Sequence, residues 1–284
     1  MSAGRNPGRT VRIDVLPQGM YRLADCDALV VIDVVLAGTL VTTALGQGRP
    51  TYLPGGLDAA LRLRRELPNA LFGQEGFDGL DGFEAIGPLR LGAAPESNEP
   101  LVLVVPWAVH LADADSRTAI YIGSLQNVGA TARMLSENHA RVGIVGAGFR
   151  GEARSEDRIA AARLADALLR LGFRCDGMST VQEIQSWALA DLSLVSWGKS
   201  CDYLRREGRG ADVDFILQHQ DDINLACCYM PDGEVRGVLP ANIHAGGSVV
   251  VPYVPRVAAA PDAAPASAEA EGVRRAGRTE PRGA

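Results

Sequence analysis

Short apolar segments alternate with amphipathic segments along most of the chain, and this pattern predicts strands and helices in turn. The clearest strand is 28–35, which is apolar on both faces except at Asp33, as in the centre of a parallel sheet. Further strands are predicted at 100–105, 118–122, 141–145, 226–230 and 235–239. Helices are predicted at 39–45, 57–67, 127–138 and 155–171, and over most of 181–217. Repeated strand–helix units of this kind predict an α/β fold of three layers, with a mostly parallel or mixed sheet flanked by helices.

The two ends of the chain and one internal segment depart from this alternation. We expect a flexible N-terminus at 1–10, an α/β domain at 11–256 and a disordered tail at 257–284, because the tail is rich in Ala and Pro without an apolar period. Residues 73–95 predict a long internal loop, since Gly and Pro interrupt them repeatedly. Loops of this length inside a domain are usually functional or disordered.

Composition narrows the range of functions. The formal net charge of the 284 residues is −6, which argues against a nucleic-acid-binding protein with a basic face. Lys199 is the single lysine among 28 basic residues, so the sequence has no G-x-x-x-x-G-K phosphate-binding loop, and a Schiff base could form only at that residue. No apolar run reaches the roughly 20 residues of a membrane span. The five cysteines are scattered without a C-x-x-C pair, as is typical of reduced thiols, so we expect a cytoplasmic protein that acts on a small molecule.

A glycine-rich turn follows one of the predicted strands. Gly146, Gly148 and Gly151 form a G-x-G-x-x-G pattern, in which backbone N–H groups could approach an anion closely. A dinucleotide site would need a helix that starts within the pattern and an acid about 20 residues later. Here the helix is predicted to begin at Ser155, whose side chain could cap it, and Asp176 lies farther away than that spacing. An anion-binding turn of another kind, a nicotinamide or flavin site, and a merely tight strand–helix connection therefore all remain open.

Several acids are candidates for catalysis or metal binding. Asp33 lies inside an apolar strand, where a buried carboxylate needs a partner or a metal ion; alternatively, it caps the helix predicted from Thr39. Other acids lie in the predicted loop or at a predicted helix start, namely Glu75, Asp78, Asp81, Glu84, Glu156 and Asp157. Carboxylates without a cluster of Cys and His suit Mg²⁺, a hard cation that prefers oxygen ligands. Any single acid of this set could equally be a solvated surface group.

Taken together, several short motifs resemble those of the 2-phosphosulfolactate phosphatase family. Residues 32–39, IDVVLAGT, are similar to the family's strand end I-D-V-L-R-A-T-T. Further similarities follow in the family's order: 43–48 to T-A-L-A-N-G, 74–75 to its G-E loop, 124–127 to F-L-N-A, 146–148 to C-A-G, 156–157 to an E-D helix start, and 210–215 to G-x-x-x-D-[VI]-x-F. The resemblance covers residues 11–239, and the order and spacing of the motifs carry it.

The resemblance implies a Mg²⁺-dependent phosphatase whose α/β fold contains two similar subdomains. It implies that Asp33, Glu75 and Asp157 are catalytic, and that the same three residues together with Glu156 hold Mg²⁺. The substrate-binding residues that it implies are Leu36, Thr39, Trp107, His110, Asn127 and Gly148. A homodimer is compatible with this interpretation.

The chain departs from the family pattern where phosphate recognition is expected. The family's Arg after I-D-V-L is Leu36 here, a neighbouring Thr is Gly38, and the T-T-N-G-T-R segment corresponds to 105–110, which ends in His110. Each charged hydrogen-bond partner is worth about 1.5–3 kcal/mol, so these losses should weaken recognition of a small phosphate dianion. We therefore predict a phosphatase with a changed substrate. The alternative is a biosynthetic enzyme of another reaction type, or a binding protein, with a more apolar pocket.

Overall fold

The computed structural model describes residues 8–75, 80–94, 97–111 and 117–240. Within them, ten strands form one mixed sheet: β1 (Thr10–Asp14), β2 (Ala28–Ile32), β3 (Thr51–Tyr52), β4 (Leu71–Gln74), β5 (Leu101–Val104), β6 (Ala119–Gly123), β7 (Arg141–Gly146), β8 (Arg174–Cys175), β9 (Ala226–Tyr229) and β10 (Glu234–Val238). The α-helices of the described residues are α1 (Ala37–Gly46), α2 (Leu57–Glu66), α3 (Pro88–Ala93), α4 (Val128–Asn138), α5 (Ser155–Arg170), α6 (Met178–Trp187), α7 (Ser193–Ser196), α8 (Lys199–Arg206) and α9 (Gly210–Gln218). The predicted α/β class, with a mixed sheet flanked by helices, is confirmed.

The sheet contains two parallel sections of opposite direction. Its strand order is β4-β5-β3-β10-β9-β6-β2-β7-β1-β8. Strands β6, β2, β7, β1 and β8 are mutually parallel and form the first parallel section, while β3, β5 and β4 form the second. Strands β9 and β10 pair antiparallel with each other and with the neighbouring strand of each section. The reversal of direction between the sections is therefore made within these two strands.

The centre of the first parallel section is β2, as its apolar sequence predicts. All five of its residues are buried, and it pairs with β6 on one side and β7 on the other. Helix α1 follows almost directly, and nine of its ten residues are buried. Gly38 makes this close approach feasible, because a Cβ there would overlap the carbonyl oxygen of Asp33 and lie 2.6 Å from that of Gly123. Helix α1 therefore begins at the carboxyl end of a central strand, where ligands of open α/β sheets usually bind.

Two local predictions from the sequence are wrong. Residues 73–95 are not a single loop, because β4 extends to Gln74 and α3 begins at Pro88. Strand β4 pairs in parallel with β5 over its whole length, so a neighbouring strand stabilises it despite its weak alternation. Ser155 does not cap α5 but is its first residue, and its hydroxyl donates to Oε2 of Glu156 over 3.2 Å.

Some predictions fall on parts of the chain outside the described residues. These parts include 1–7 and 241–284, so the flexible N-terminus and the disordered tail stay predictions; β1 begins at Thr10. Asp78 of the predicted acidic loop also lies outside them. Across the described ranges, no helix combines the length and the apolar character that a membrane span requires. The five cysteines carry free thiols, and Cys26, Cys201 and Cys227 are buried.

Candidate active site

Asp33 lies directly after β2, at the carboxyl end of the first parallel section. Its backbone N–H donates to the carbonyl of Gly123 over 3.0 Å, which extends the pairing with β6 by one residue. Its side chain is only 4% exposed. Oδ2 accepts a hydrogen bond of 2.7 Å from Nε1 of Trp107. Helix α1 begins close by, but its N-cap residue is Leu36, without a side-chain cap hydrogen bond, so capping of α1 by Asp33 stays an interpretation; the hydrogen bond from Trp107 fixes the orientation of the carboxylate.

Asp157 joins two turns of the first parallel section. It lies in the first turn of α5; its Oδ1 accepts from the N–H of Val34 and its Oδ2 from the N–H of Gly148, each over 3.0 Å. Gly148 has a φ of +56°, and an added Cβ would lie 2.7 Å from the carbonyl oxygen of Glu152. The backbone N–H that could have bound an external anion is therefore bonded to the protein's own carboxylate. Since α5 begins at Ser155, the glycine pattern also lacks the helix that a dinucleotide site needs.

Glu75 comes from the second parallel section, directly after β4. Its Oε1 accepts a hydrogen bond of 3.2 Å from the N–H of Leu36. Its Oε2 is buried without a hydrogen-bond partner among the described residues. Trp107, which contacts Asp33, follows β5 of the same section. The site therefore lies where the ends of strands from both sections meet.

Burial and the negative charge of neighbouring acids raise the pKa of all three carboxyl groups. Burial raises the pKa of Asp33 to about 7, although the hydrogen bond from Trp107 opposes the shift. Burial, followed by the negative charge of Asp33, raises the pKa of Glu75 and of Asp157 well above the usual range. Acidic groups held together in this way favour either a shared proton or a bound cation, and such clusters are typical of functional sites.

A cavity of about 400 Å³ opens over these carboxylates. Three kinds of residue line it: the acids Asp33, Glu75, Glu152 and Asp157; the cations Arg150, Arg154 and Lys199; and the apolar or aromatic Val35, Leu36, Phe149, Tyr203 and Leu204. A second cavity, of about 310 Å³, is lined by Trp107 and His110 and shares Glu75 and Gly148 with the first. The cavity over the carboxylates is thus both charged and apolar.

Sequence reasoning missed the cationic residues of the first cavity. Arg150 and Arg154 lie in and just after the glycine turn, which the sequence singled out only for its backbone. Lys199 and Tyr203 come from α8, and no local pattern indicates that this helix packs beside the turn. The one available signal was that Lys199 is the only lysine of the chain.

Three residues predicted to bind substrate or metal ion lie behind the cavity lining. The hydroxyl of Thr39 donates to the carbonyl of Val34 over 2.8 Å, which supports the loop after β2. Asn127 is fully buried, and its Oδ1 accepts from the N–H of Ser124 over 3.0 Å. Glu156 is 1% exposed, and its negative charge contributes to the raised pKa of Asp33. The lining residues of the two cavities include Leu36, Trp107, His110 and Gly148 from the predicted binding set.

The donor set permits a magnesium ion held by few protein ligands. In the described part of the chain, no three or more side chains of His, Cys, Asp and Glu converge on one metal position. Both oxygens of Asp157 accept backbone N–H groups, whereas Oε2 of Glu75 is buried without a partner, and Asp33 is close enough to raise the pKa of Glu75. Mg²⁺ is usually held by one or two carboxylates, with water and substrate phosphate completing its octahedron. Glu75 and Asp33 fit that arrangement.

Comparisons with known proteins agree with the family resemblance of the sequence motifs. A model of the 2-phosphosulpholactate phosphatase family matches residues 16–228. A protein of Deinococcus radiodurans named "Probable 2-phosphosulfolactate phosphatase" is 30% identical over 217 residues, which are 73% of this chain and 88% of that relative. A protein with the same name from Synechococcus sp. (strain WH7803) is 29% identical over 224 residues, 75% of this chain and 86% of the relative.

Proposed function

Because the chain belongs to the 2-phosphosulfolactate phosphatase family, we propose that it is a Mg²⁺-dependent phosphatase that acts on a phosphorylated small molecule other than 2-phosphosulfolactate. Family membership supports the coarser part, a phosphatase with a small-molecule substrate. One structural observation supports the finer part most directly: the carboxylate cluster of Asp33, Glu75 and Asp157, in which Asp33 and Asp157 are buried, shares its cavity with Arg150, Arg154 and Lys199. Such a cavity can accommodate both a cation and a phosphorylated ligand.

The three carboxylates have different roles in the proposed phosphatase. Glu75, through Oε2, and Asp33 would hold Mg²⁺, which when bound supplies charge that stabilises the phosphoryl oxygens. The N–H of Leu36 orients Glu75, and Nε1 of Trp107 orients Asp33. Asp157 fixes the two turns that form the floor of the cavity. Its role is then to position the site, because its oxygens are already bonded to the backbone.

The lining supports a change of substrate. Leu36 takes the place of an Arg in the family's pattern and lies in the wall of the cavity, next to Val35. Phe149, Tyr203 and Leu204 extend that apolar surface. The cationic residues lie on the glycine turn and on α8 instead, so positive charge reaches the ligand from a different side. A substrate with a larger apolar part suits this wall better than a small polyanion does.

The test is the release of inorganic phosphate from a panel of phosphorylated hydroxy acids that includes 2-phosphosulfolactate, measured with Mg²⁺ and with EDTA. We expect Mg²⁺-dependent release from at least one other substrate in preference to 2-phosphosulfolactate. Asp33→Asn and Glu75→Gln should each lower kcat/KM by at least about a hundredfold, as is usual when a charge-stabilising group is removed. Asp58→Asn, an exposed residue at the start of α2, is the matched control and should leave the rate unchanged.

Three results would contradict the proposal: a preference for 2-phosphosulfolactate, release that EDTA and Asp33→Asn leave unaffected, or no release from any substrate. In the last case, quenching of tryptophan fluorescence by neutral organic ligands, unaffected by EDTA, would favour the alternative of a binding protein with an apolar pocket. Trp107 reports on this, because it is buried in the wall of the adjoining cavity.

A further inference from the structure

Glu152 holds two of the three cations of the first cavity with a single oxygen atom. Its Oε2 accepts from Nζ of Lys199 over 2.8 Å and from a terminal nitrogen of Arg154 over 3.1 Å. Lys199, and after it Arg154, holds the pKa of Glu152 below its usual range, so this carboxylate is ionised at neutral pH. An anionic oxygen at this point is thus coordinated by two cations that approach from different elements, the glycine turn and α8.

The backbone fixes Glu152 in this position. Phe149 and Glu152 exchange two hydrogen bonds, of 2.9 and 3.0 Å, and close a tight turn. Between them, Arg150 and Gly151 both have positive φ, +51° and +77°, a backbone conformation that is uncommon for residues other than glycine. The turn therefore fixes the Cα position of Glu152, from which its carboxylate reaches Arg154 and Lys199.

Arg154 gives the position a rigid cationic side. Its side chain is 12% exposed, its guanidinium stacks over the ring of Phe149 at 5.6 Å, and its Nε is buried without a hydrogen-bond partner among the described residues. Lys199, in contrast, is 75% exposed and Glu152 is 56% exposed. Exposed ion pairs contribute little free energy, so the carboxylate of Glu152 can be displaced while Arg154 stays in place.

We propose that Arg154 and Lys199 form an oxyanion-binding position of this cavity, and that Glu152 is an internal competitor that occupies this position until an anionic group of the ligand displaces it. The anionic group is a tetrahedral oxyanion, such as the phosphoryl group of the proposed substrate, and the inference rests on the proposed function only to that extent. Glu152 then lowers the affinity of this position for anions by a small factor, and it is displaced more readily by a group with more negative charge.

The experiment measures the binding of inorganic phosphate by isothermal titration calorimetry, in EDTA and at low ionic strength, on the full chain. Removal of the competitor in Glu152→Gln should tighten binding about two- to fivefold, because the bound state no longer has to displace an exposed ion pair. Lys199→Gln should weaken binding. The matched control is Asp202→Asn, which removes the same charge from an exposed position of α8 that does not line the cavity; its affinity for phosphate should equal that of the wild type.

Because Lys199 is the single lysine, NMR can observe its contact with the anion directly. After reductive methylation with ¹³C-formaldehyde, only Lys199 and the terminal amine give signals, since the chain has no other lysine. The Lys199 signal should shift as phosphate is added, and at lower phosphate concentration in Glu152→Gln. In a parallel titration, methanesulfonate, a monoanion, should shift the signal only at higher concentration than phosphate does, and the opposite order would contradict a position for a phosphoryl group.

Equal affinity for phosphate in the wild type and Glu152→Gln would overturn the inference. So would an equal gain in Asp202→Asn, which would indicate a general charge effect, or a Lys199 signal that does not respond to either anion. These results do not depend on turnover. Tighter phosphate binding without hydrolysis of any substrate would support the inference and contradict the proposed function, whereas hydrolysis with unchanged phosphate binding would do the reverse.

Discussion

Asp33 carries a charge that burial disfavours, and its protonation should therefore influence folding stability. Its pKa is raised from 3.8 to about 7, so the folded state binds this proton more tightly than the unfolded state. The resulting stabilisation is fully present below about pH 4 and is lost as the pH rises through 7. We expect that, in EDTA, the free energy of unfolding falls less between pH 5 and 8 in Asp33→Asn than in the wild type. Urea unfolding at both pH values measures this, and parallel declines would contradict it.

Trp107 supports the ionised form of Asp33 through its indole N–H. Trp107→Phe removes this donor, so the pKa of Asp33 should rise further and the acidic limb of the phosphate-release profile should move to higher pH. The free energy of unfolding should fall by about 1.5–3 kcal/mol, the usual value of a hydrogen bond to a charged group. Trp187→Phe is the matched control, because Nε1 of Trp187 has no partner among the described residues. A loss of stability without movement of the pH profile would contradict the role given to Trp107.

The site residues predicted from the sequence are recognisable from their local sequence, whereas those that were missed depend on contacts between distant parts of the chain. Asp33 could be found because a carboxylate inside an apolar strand is anomalous wherever the chain folds. Arg154 and Glu152 were missed because their function depends on a lysine some distance along the chain, and only the packing of α8 beside the glycine turn brings them together. Asn127 shows the opposite case: its motif position suggested substrate binding, while its side chain is bonded within the β6–α4 connection.

At the scale of elements, the contact of α1 with the ends of β2 and β6 depends on one glycine. In Gly38→Ala, the new Cβ would overlap the backbone carbonyl oxygen of Asp33 and approach that of Gly123, and the Gly123 oxygen is held by the N–H of Asp33. We expect a loss of about 3 kcal/mol or more in the free energy of unfolding, at the upper end of overpacking effects. A Thr at this position, as in the family's pattern, should be worse still.

Gly46→Ala in the same helix is the matched control for Gly38→Ala. Its Cβ would meet only the side chain of Ile223, whose flexible end Cδ1 is nearest at 2.9 Å, and Ala is the better helix former. Its free energy of unfolding should therefore stay within about 1 kcal/mol of the wild type. Chemical denaturation of both variants measures the two free energies of unfolding. Similar losses in Gly38→Ala and Gly46→Ala would contradict the prediction, because the close approach to Asp33 would then not be the cause.

Elements with their own long apolar pattern could be predicted, while those that depend on neighbours could not. Strand β2 and helix α5 were recognisable from the sequence because the residues that they bury are apolar and form a regular pattern along the chain. Strand β3 has two residues and β4 has four, too few for a period, and both exist because β5 offers them hydrogen bonds. The wrong prediction of a loop at 73–95 arose from this dependence.

At the scale of the whole molecule, the site connects the two parallel sections, because Glu75 and Trp107 of the second section bond to Leu36 and Asp33 of the first. A cation between Glu75 and Asp33 should therefore stabilise the entire sheet. At a hundred times its Kd, Mg²⁺ would contribute about 2.7 kcal/mol, which for a domain of this size raises Tm by roughly 5–10 °C.

Thermal unfolding of the wild type should accordingly show one transition that MgCl₂ moves upward, while Glu75→Gln should lose most of the shift and Asp58→Asn should keep it. The shift should also be larger at pH 8 than at pH 6, because protons compete with Mg²⁺ for Asp33, whose pKa is about 7. Two separate transitions would mean that the sections unfold independently. A shift that Glu75→Gln retains would place the cation elsewhere in the molecule, and the carboxylate pair would then have to be explained by proton sharing alone.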